Sequence, residues 1–234
     1  MSEEKWPKVA IIVLNWNGWQ DTIECLESLY QITYPNYEVI VVDNGSEDES
    51  VCRIMEYARM NQAIKFDFFD YDLCNNHSFS DSDIECSSVR MKIYLIKTRK
   101  NHGFAGGSNI GIKYAINILN SDYILLLNND TIVDNIFLDE LVKTAMSNEM
   151  IGIVGSTILS YYNRDLILSA GAEISKITRT TKSTGYGSKI DKKVYYVTRD
   201  VDYVSGCAFM IKSRAIRSIG LLDERYFIYV EEKD

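Results

Sequence analysis

Residues 123–130 have the sequence YILLLNND, in which five apolar or aromatic residues are followed at once by three polar ones. So short and apolar a run, with Ser121 and Asp122 before it, is typical of a fully buried strand in a parallel sheet. Such a strand would deliver Asp130 to the carboxyl edge of the sheet, where open α/β folds bind ligands and a carboxylate can ligate a hard cation. A turn that caps the next helix is the alternative interpretation of residues 128–131, since Asn and Asp favour turns for local reasons.

Two strand-and-helix units precede this stretch. Residues 9–14 and 37–42 are buried-strand patterns, and each is followed by apolar residues at helical spacing, over 19–30 and 51–58. Ser46 and Glu49 have the spacing of a capping box, which predicts the start of the second helix. Two successive units of this kind predict a parallel sheet with right-handed crossovers.

A glycine-rich segment, NHGFAGGSN at residues 101–109, lies between a predicted strand at 93–96 and a helical pattern at 112–119. Glycines at such a junction let the backbone approach a ligand closely, and the helix amino terminus offers N–H groups to oxygen atoms. The spacing is neither that of a dinucleotide-binding fingerprint nor that of a P-loop. A Rossmann dehydrogenase and a P-loop NTPase are therefore disfavoured.

The remaining segments are less regular. Residues 61–90 are rich in acidic and aromatic residues without a sustained period, so we interpret them as an insertion or surface loop. Beyond the opening stretch we expect a helix near 137–145, strands at 151–159 and 205–211, short β-rich structure over 166–204 and a short helix at 214–219. We predict a single domain over residues 1–234 that is truncated at its carboxyl end, because the chain stops on an acidic cluster.

Composition excludes several classes of function. The 234 residues carry a net charge of −8 and no block of basic residues, which disfavours nucleic-acid binding. No apolar run approaches the roughly 18 residues of a membrane span, so a cytoplasmic protein is expected. The five cysteines are scattered without a C-x-x-C pair, which argues against disulfides and structural zinc.

Together, these motifs resemble the family 2 glycosyltransferases. The resemblance is carried by the segments VAIIVLNWN at 9–17, VDNGS at 42–46, residues 101–109, LNNDT at 127–131, GCAFM at 206–210, GLLDE at 220–224 and the final EEKD. It covers nearly the whole chain in the right order and is greatest for the rhamnosyltransferase-like members that build cell-surface polysaccharides.

The resemblance implies an α/β GT-A fold, with a mostly parallel central sheet and a more mixed second half. It also implies a nucleotide-sugar donor, UDP- or dTDP-linked, and inversion at the anomeric carbon. Asp43 would accept a hydrogen bond from N3–H of uracil or thymine. The nucleotide-sugar-binding positions it implies are Asn15, Asn17, Asp43, Gly106, Gly107, Asn109 and Asn129.

A divalent cation, Mg²⁺ or Mn²⁺, is implied at Asp130. The family's D-x-D motif corresponds to residues 128–130, with Asn128 in place of the first Asp. Because Mg²⁺ commonly takes only one or two protein carboxylates and completes its shell with phosphate and water, Asp130 alone is sufficient. The cation would stabilise the charge that grows on the departing diphosphate.

The resemblance places the general base at Glu232, one methylene longer than the usual Asp, with Asp234 as the second candidate. A solvated acidic tail is the alternative for these residues. Ser205 and Gly206 fall where the family lines its acceptor site. The acceptor would be a saccharide or a lipid-linked saccharide, and the latter would bring the protein to the inner face of the membrane.

Two other functions stay open at this stage. A nucleotidyltransferase that makes nucleotide sugars would need a basic phosphate-binding loop near the amino terminus, and residues 14–18 contain no Lys or Arg. A catalytically impaired nucleotide-sugar-binding domain is favoured by Asn128, by Glu232 and by the expected missing carboxyl-terminal part.

Overall fold

The computed structural model describes residues 6–72, 79–80, 89–175, 177–178, 180–190 and 197–227. Five helices lie in this part of the chain: α1 (Trp19–Tyr30), α2 (Ser50–Met60), α3 (Gly103–Asn117), α4 (Phe137–Ser147) and α5 (Ser213–Ile219). The strands within it are β1 (Val9–Asn15), β2 (Tyr37–Asp43), β3 (Ile64–Asp70), β4 (Phe79–Ser80), β5 (Met91–Lys97), β6 (Tyr123–Asn128), β7 (Ile153–Gly155), β8 (Ile158–Leu159), β9 (Ile167–Ser169), β10 (Ala172–Ile174), β11 (Thr181–Ser183) and β12 (Ala208–Lys212).

Eight of these strands form one sheet in the order β4-β3-β5-β2-β1-β6-β12-β7. The strands from β3 to β6 in this order are parallel, whereas β4, β12 and β7 pair antiparallel to their neighbours. The short strands β8 to β11 pair in two separate ribbons. The mostly parallel sheet and the more mixed second half are therefore confirmed.

Both faces of the sheet are covered. In β1, Val9, Ile11 and Val13 belong to a core shared with α1, α2 and α4. The alternate residues Ala10 and Ile12 belong to a second core shared with α3 and α5. Because successive residues of a strand point to opposite faces, a central strand in such a three-layer fold must be apolar throughout.

The interpretation of residues 61–90 was wrong for residues 64–70, which form β3 and pair along their whole length with β5. The missed signal is the alternation of Ile64, Phe66 and Phe68 with polar residues, which is the period of a half-buried strand. Residues 73–78 and 81–88 of the predicted insertion lie outside the described part of the chain. The single strand predicted at 151–159 is divided into β7 and β8.

Helix α3 crosses β1 at a glycine. A Cβ atom added at Gly111 would lie 2.7 Å from Cγ2 of Ile12, whose side chain is buried in the second core. A β-branched side chain held in a close-packed core cannot move aside at low cost. Gly111 therefore sets how closely α3 approaches the sheet.

We predict that Gly111→Ala destabilises the protein by about 1–2 kcal/mol, because overpacking outweighs the better helix propensity of alanine. Urea unfolding measures the change. Gly152→Ala is the matched control, since its added Cβ would be 3.9 Å from the nearest described atom, Cβ of Ala215. A Gly111→Ala protein as stable as wild type would contradict this account of the packing.

Candidate active site

The carboxyl ends of three adjacent strands lie at the same level. In the register of the sheet, Asn15 at the end of β1 pairs with Asp43 at the end of β2, and Leu14 pairs with Asn128 at the end of β6. Parallel strands of similar length necessarily bring their last residues to one edge. We call this edge, defined by Asn15, Asp43 and residues 128–130, the carboxyl rim.

A chain of side-chain hydrogen bonds runs along the carboxyl rim. Nδ2 of Asn129 donates to Oγ1 of Thr22 at 3.1 Å, and Oγ1 of Thr22 donates to Oδ1 of Asn15 at 2.8 Å. Nδ2 of Asn15 then donates to Oδ2 of Asp43, also at 2.8 Å. The side chains of Asn15, Thr22 and Asp43 are fully buried, so these groups depend on one another for their hydrogen bonds.

The loop after β2 joins the same group. Oγ of Ser46 accepts hydrogen bonds from the backbone N–H of Asn17 and from Nδ2 of Asn15, and the backbone N–H of Ser46 donates to Oδ1 of Asp43. Asn17 has a positive φ of 51°, and its Oδ1 accepts from the backbone N–H of Glu47 at 2.9 Å. The two loops that follow β1 and β2 are thus held together at the rim.

The predicted capping box at Ser46 is wrong. Helix α2 begins at Ser50, with Glu49 at its N-cap position. The physical reason is that the hydroxyl of Ser46 is engaged by Asn15 and Asn17, on the side of the site and not of the helix.

The glycine-rich segment forms the start of α3 beside the rim. The side chain of Asn44, which is buried, donates to Oδ1 of Asn101 and to the carbonyl of Gly103. A Cβ added at Gly107 would lie 2.5 Å from Cδ1 of Leu14 and 3.0 Å from Nδ2 of Asn44. Gly107 is therefore required for α3 to begin this close to the ends of β1 and β2.

Residues 221–227 cover the amino-terminal turns of α3. The side chain of Asn109 donates to the carbonyl of Leu222 and to Oε1 of Glu224, and the backbone N–H of Phe104 donates to the carbonyl of Phe227 at 2.7 Å. A Cβ added at Gly106 would face His102 and Glu224. Asn109 is fully engaged in holding this segment, so its implied contact with a nucleotide stays a prediction.

Asp130 projects from the rim into solvent. It follows Asn129 directly and is exposed, and within the described ranges no hydrogen bond or ion pair engages its carboxylate. The negative charge of Asp130 also affects the thiol of Cys25 in α1. Burial, and in second place the negative charge of Asp130, raise the pKa of the Cys25 thiol to about 12.

The predicted acceptor residues lie on the other side of β6. The carbonyl of Cys207 accepts from the backbone N–H of Asn128, and Nδ2 of Asn128 lies 3.8 Å from Sγ of Cys207. Ser205 and Gly206 immediately precede Cys207 and are half-buried. They therefore lie next to residues 128–130, whereas the proposed bases Glu232 and Asp234 lie outside the described part of the chain.

A groove among the described residues lies away from the rim. It has a volume of about 830 Å³ and lies between α4, β7 and residues 197–204, with Phe137, Val154 and Val201 in its lining. Asn15, Asp43 and Asp130 do not line it. One end reaches Val204, next to Ser205, so the groove approaches the rim from the side of the predicted acceptor residues.

The amino-acid sequence matches a known family over most of its length. The match is to the family described as Glycosyl transferase family 2, over residues 10–72 and 75–220. This chain belongs to glycosyltransferase family 2. The resemblance found in the motifs is confirmed for the family, but the rhamnosyltransferase-like branch stays a prediction.

Two curated proteins with similar sequences illustrate the relationship. The low-salt glycan biosynthesis hexosyltransferase Agl10 of Haloferax volcanii is 28% identical over 193 residues, covering 82% of this chain and 58% of that protein. A poly-beta-1,6-N-acetyl-D-glucosamine synthase of Staphylococcus epidermidis is 22% identical over 217 residues, covering 92% of this chain and 42% of that protein. This chain thus spans about half the length of the curated relatives it matches.

Solved structures show the same fold. A mannosyltransferase of Pyrobaculum calidifontis, PcManGT, in complex with GDP-Man and Mn²⁺, superposes with a TM-score of 0.62 at 16% identity, covering 98% of this chain and 51% of that one. S. aureus TarS 1-349 in complex with UDP superposes with a TM-score of 0.59 at 14% identity, covering 97% and 53%. The predicted GT-A fold is confirmed.

The rim of this chain offers one carboxylate to a divalent cation. Within the described ranges no three His, Cys, Asp or Glu side chains are grouped as a metal cage. Mg²⁺ sites built on substrate phosphates need only one or two protein carboxylates, and an exposed, unpaired carboxylate at the rim meets that need. Asp130 is therefore a suitable ligand for a cation that arrives with a diphosphate.

Sequence reasoning missed Thr22 and Asn44, which connect the predicted residues. Both side chains are polar and buried, but Thr22 belongs to no motif that we singled out, and Asn44 lies in the VDNGS segment without having been assigned a role. Thr22 is a polar residue on the buried side of α1, in its first turn, where a hydroxyl ordinarily bonds to the helix itself. Among the helices of the described chain, none is long and apolar enough to span a membrane.

We predict that Cys25 resists alkylation in the folded protein between pH 7 and 9, whereas exposed Cys52 reacts. A pKa raised to about 12 leaves almost no thiolate at these pH values, and the thiolate is the reactive form. Peptide mapping after iodoacetamide treatment, with and without urea, measures both sites in one sample. Equal labelling of Cys25 and Cys52 without urea would contradict the burial of this thiol beneath the rim.

Proposed function

We propose that this chain transfers a sugar from a nucleotide-sugar donor to a saccharide or lipid-linked acceptor in cell-surface glycan synthesis. The proposal rests on one observation in a chain that belongs to this family: a series of hydrogen bonds connects Asp43 to residues 128–130 at the carboxyl rim. In open α/β sheets this edge is the usual position of a ligand. UDP- and dTDP-sugars are the donors we propose, and rhamnose is the sugar that the motif resemblance favours.

Asp43 is proposed to recognise the base. Its carboxylate is held by Asn15 and by the backbone N–H of Ser46, so its position is fixed before a ligand arrives. A carboxylate has about four acceptor sites, and two of them are used here. Because the side chain is fully buried without a ligand, the proposal requires the loops after β1 and β2 to move enough to expose a remaining site to N3–H of uracil or thymine.

Asp130 is proposed to bind Mg²⁺ or Mn²⁺ together with the diphosphate. When bound, the cation supplies positive charge that stabilises the leaving nucleoside diphosphate. The chain itself contributes in two ways. Asn129 holds the turn at residues 128–130, and Gly106 and Gly107, which lack side chains, let the backbone approach the donor. PcManGT was solved with GDP-Man and Mn²⁺, which supports a cation in this fold.

The transfer itself needs an acceptor hydroxyl on the face of the sugar opposite the diphosphate. Its oxygen attacks the anomeric carbon, the bond from that carbon to the phosphate oxygen breaks, and a base takes the hydroxyl proton. Attack from the opposite face inverts the configuration. Glu232, or Asp234 in its place, is the proposed base, and the groove that ends beside Ser205 is the proposed approach of the acceptor.

We expect UDP or dTDP with Mn²⁺ to stabilise the protein against heat. A ligand present at about 100 times its Kd adds roughly 2.7 kcal/mol, which corresponds to roughly 5–10 °C in Tm for a chain of this size. Asp130→Asn should remove the Mn²⁺-dependent part of the shift. Asp134→Asn is the control, because it removes the same charge four residues later in the same loop and keeps the acceptor for the N–H of Ile136.

The two variants separate the outcomes. Loss of the shift in both would show that general charge, and not a cation at Asp130, is responsible. No shift with UDP, dTDP or GDP in the wild-type protein would contradict donor binding altogether.

Hydrolysis of a sugar nucleotide distinguishes an enzyme from a binding domain that has lost activity. We expect Glu232→Gln to reduce donor hydrolysis by about 10²-fold or more, without loss of the Mn²⁺-dependent thermal shift, because a base contributes to the chemical step and not to donor binding. Asp234→Asn is the parallel variant. Donor binding without turnover in the wild-type protein would favour the binding domain.

A further inference from the structure

The hydrogen bonds along the carboxyl rim share one direction. Asn129 donates to Thr22, Thr22 donates to Asn15, and Asn15 donates to the carboxylate of Asp43. Hydrogen bonds aligned in this way polarise one another, and here they end on a negative charge. Of these four hydrogen-bonded residues, Thr22 lies in a helix and the other three lie at or next to strand ends.

The hydroxyl of Thr22 has a second acceptor within reach. The carbonyl of Gly18, one helical turn earlier, lies 2.9 Å from Oγ1. Threonine hydroxyls in helices often bond in this way, so a purely helical role is the simpler alternative. It does not account for Asn129, whose Nδ2 approaches the same oxygen at 3.1 Å from the turn that follows β6.

These contacts determine which way the amide of Asn129 points. Oγ1 of Thr22 has given its only proton to Asn15 or Gly18, and the carbonyl of Gly18 also lies 3.3 Å from the same amide nitrogen. Two acceptors therefore face this side of the amide, and only an NH₂ group can meet them. Oδ1 of Asn129 therefore lies on the side of the amide away from Thr22 and Gly18, where no described residue donates to it.

The position allows little movement. Thr22 is fully buried, and a Cβ added at Gly18 would lie 2.9 Å from Nδ2 of Asn129. Loss of the hydroxyl would leave Oδ1 of Asn15 without its described donor and would leave Asn129 held only by the longer contact with Gly18. The turn that carries Asp130 would then be less firmly placed relative to Asp43.

We propose that Thr22 is a positioning residue that couples base recognition at Asp43 to the turn carrying Asp130, and that it directs Oδ1 of Asn129 away from α1. The proposal rests on the proposed function, because the coupling matters only if one donor is bound at both ends. Thr22 does not touch the donor. It acts through Asn15 and Asn129.

The test compares Thr22→Val, which keeps the shape and removes the hydroxyl, with Thr22→Ser, which keeps the hydroxyl. In Thr22→Val we expect the Mn²⁺ concentration that gives half of the UDP-dependent thermal shift to rise by roughly 10- to 100-fold, the size of effect usual for groups that orient a metal ligand. The turnover number for donor hydrolysis should fall by a similar factor. Thr22→Ser should stay within about threefold of wild type.

Thr144→Val, in α4, is the control for placing valine in a helix away from the rim. If Thr22→Val lowers Tm but leaves the Mn²⁺ dependence as in wild type, Thr22 is structural only and the proposal is wrong. It is equally wrong if Thr22→Ser is as impaired as Thr22→Val, because the methyl group would then be the part that matters. A wild-type protein without any Mn²⁺–UDP response would overturn the proposed function as well.

A second measurement does not depend on the variants folding. In the wild-type protein the side-chain NH₂ of Asn129 should exchange with solvent at least about tenfold more slowly than that of Asn117, which is exposed, because both of its acceptors are internal. Side-chain amide signals in nitrogen-15 spectra report this difference. Equal exchange would overturn the assigned direction of the amide.

Discussion

The site depends on the register of three parallel strands. Because β1, β2 and β6 end at the same level, short polar side chains at or next to each strand end can meet there. Hydrogen bonds connect Asn129, Thr22, Asn15 and Asp43 in that order along this edge. A slip of one residue would turn each strand's side chains to the opposite faces and break both the core and this contact. The apolar packing of β1 on both faces therefore also sets the geometry of the site.

The rim combines a fixed part with an accessible part. Asn15, Thr22 and Asp43 are fully buried and hydrogen-bonded, whereas Asp130 is exposed and available to a cation. Such a division suits the binding of a nucleotide sugar, since base recognition gains from groups already in place and a metal bound through phosphates needs an open carboxylate. The segment 221–227 adds a third element, because it holds the start of α3 in place through Asn109 and Phe104.

Much of this arrangement could be predicted from the sequence, and the reasons are local. The runs at 9–14 and 123–127 are apolar throughout, and the run at 37–42 is apolar apart from Glu38, a pattern that a strand buried on both faces requires. Their polar ends placed Asn15, Asp43 and Asp130 at one edge. Thr22, Ser46 and Asn44 could not be assigned in this way, because their partners lie on other elements and sequence spacing carries no information about them. The strand at 64–70 was missed because its aspartates and phenylalanines were read as composition and not as alternation.

The central claim is that a nucleotide and a cation bind together where these strands end. It is tested most directly by adding Mn²⁺ with UDP to nitrogen-15-labelled protein and mapping the paramagnetic broadening of backbone amide signals. We predict broadening centred on Asp43, Gly107 and Asn129, with little effect at Val9, Tyr37 and Tyr123, where the same strands begin roughly 20 Å away. Broadening centred on the groove between α4 and β7, or at the beginnings of the strands, would contradict the account.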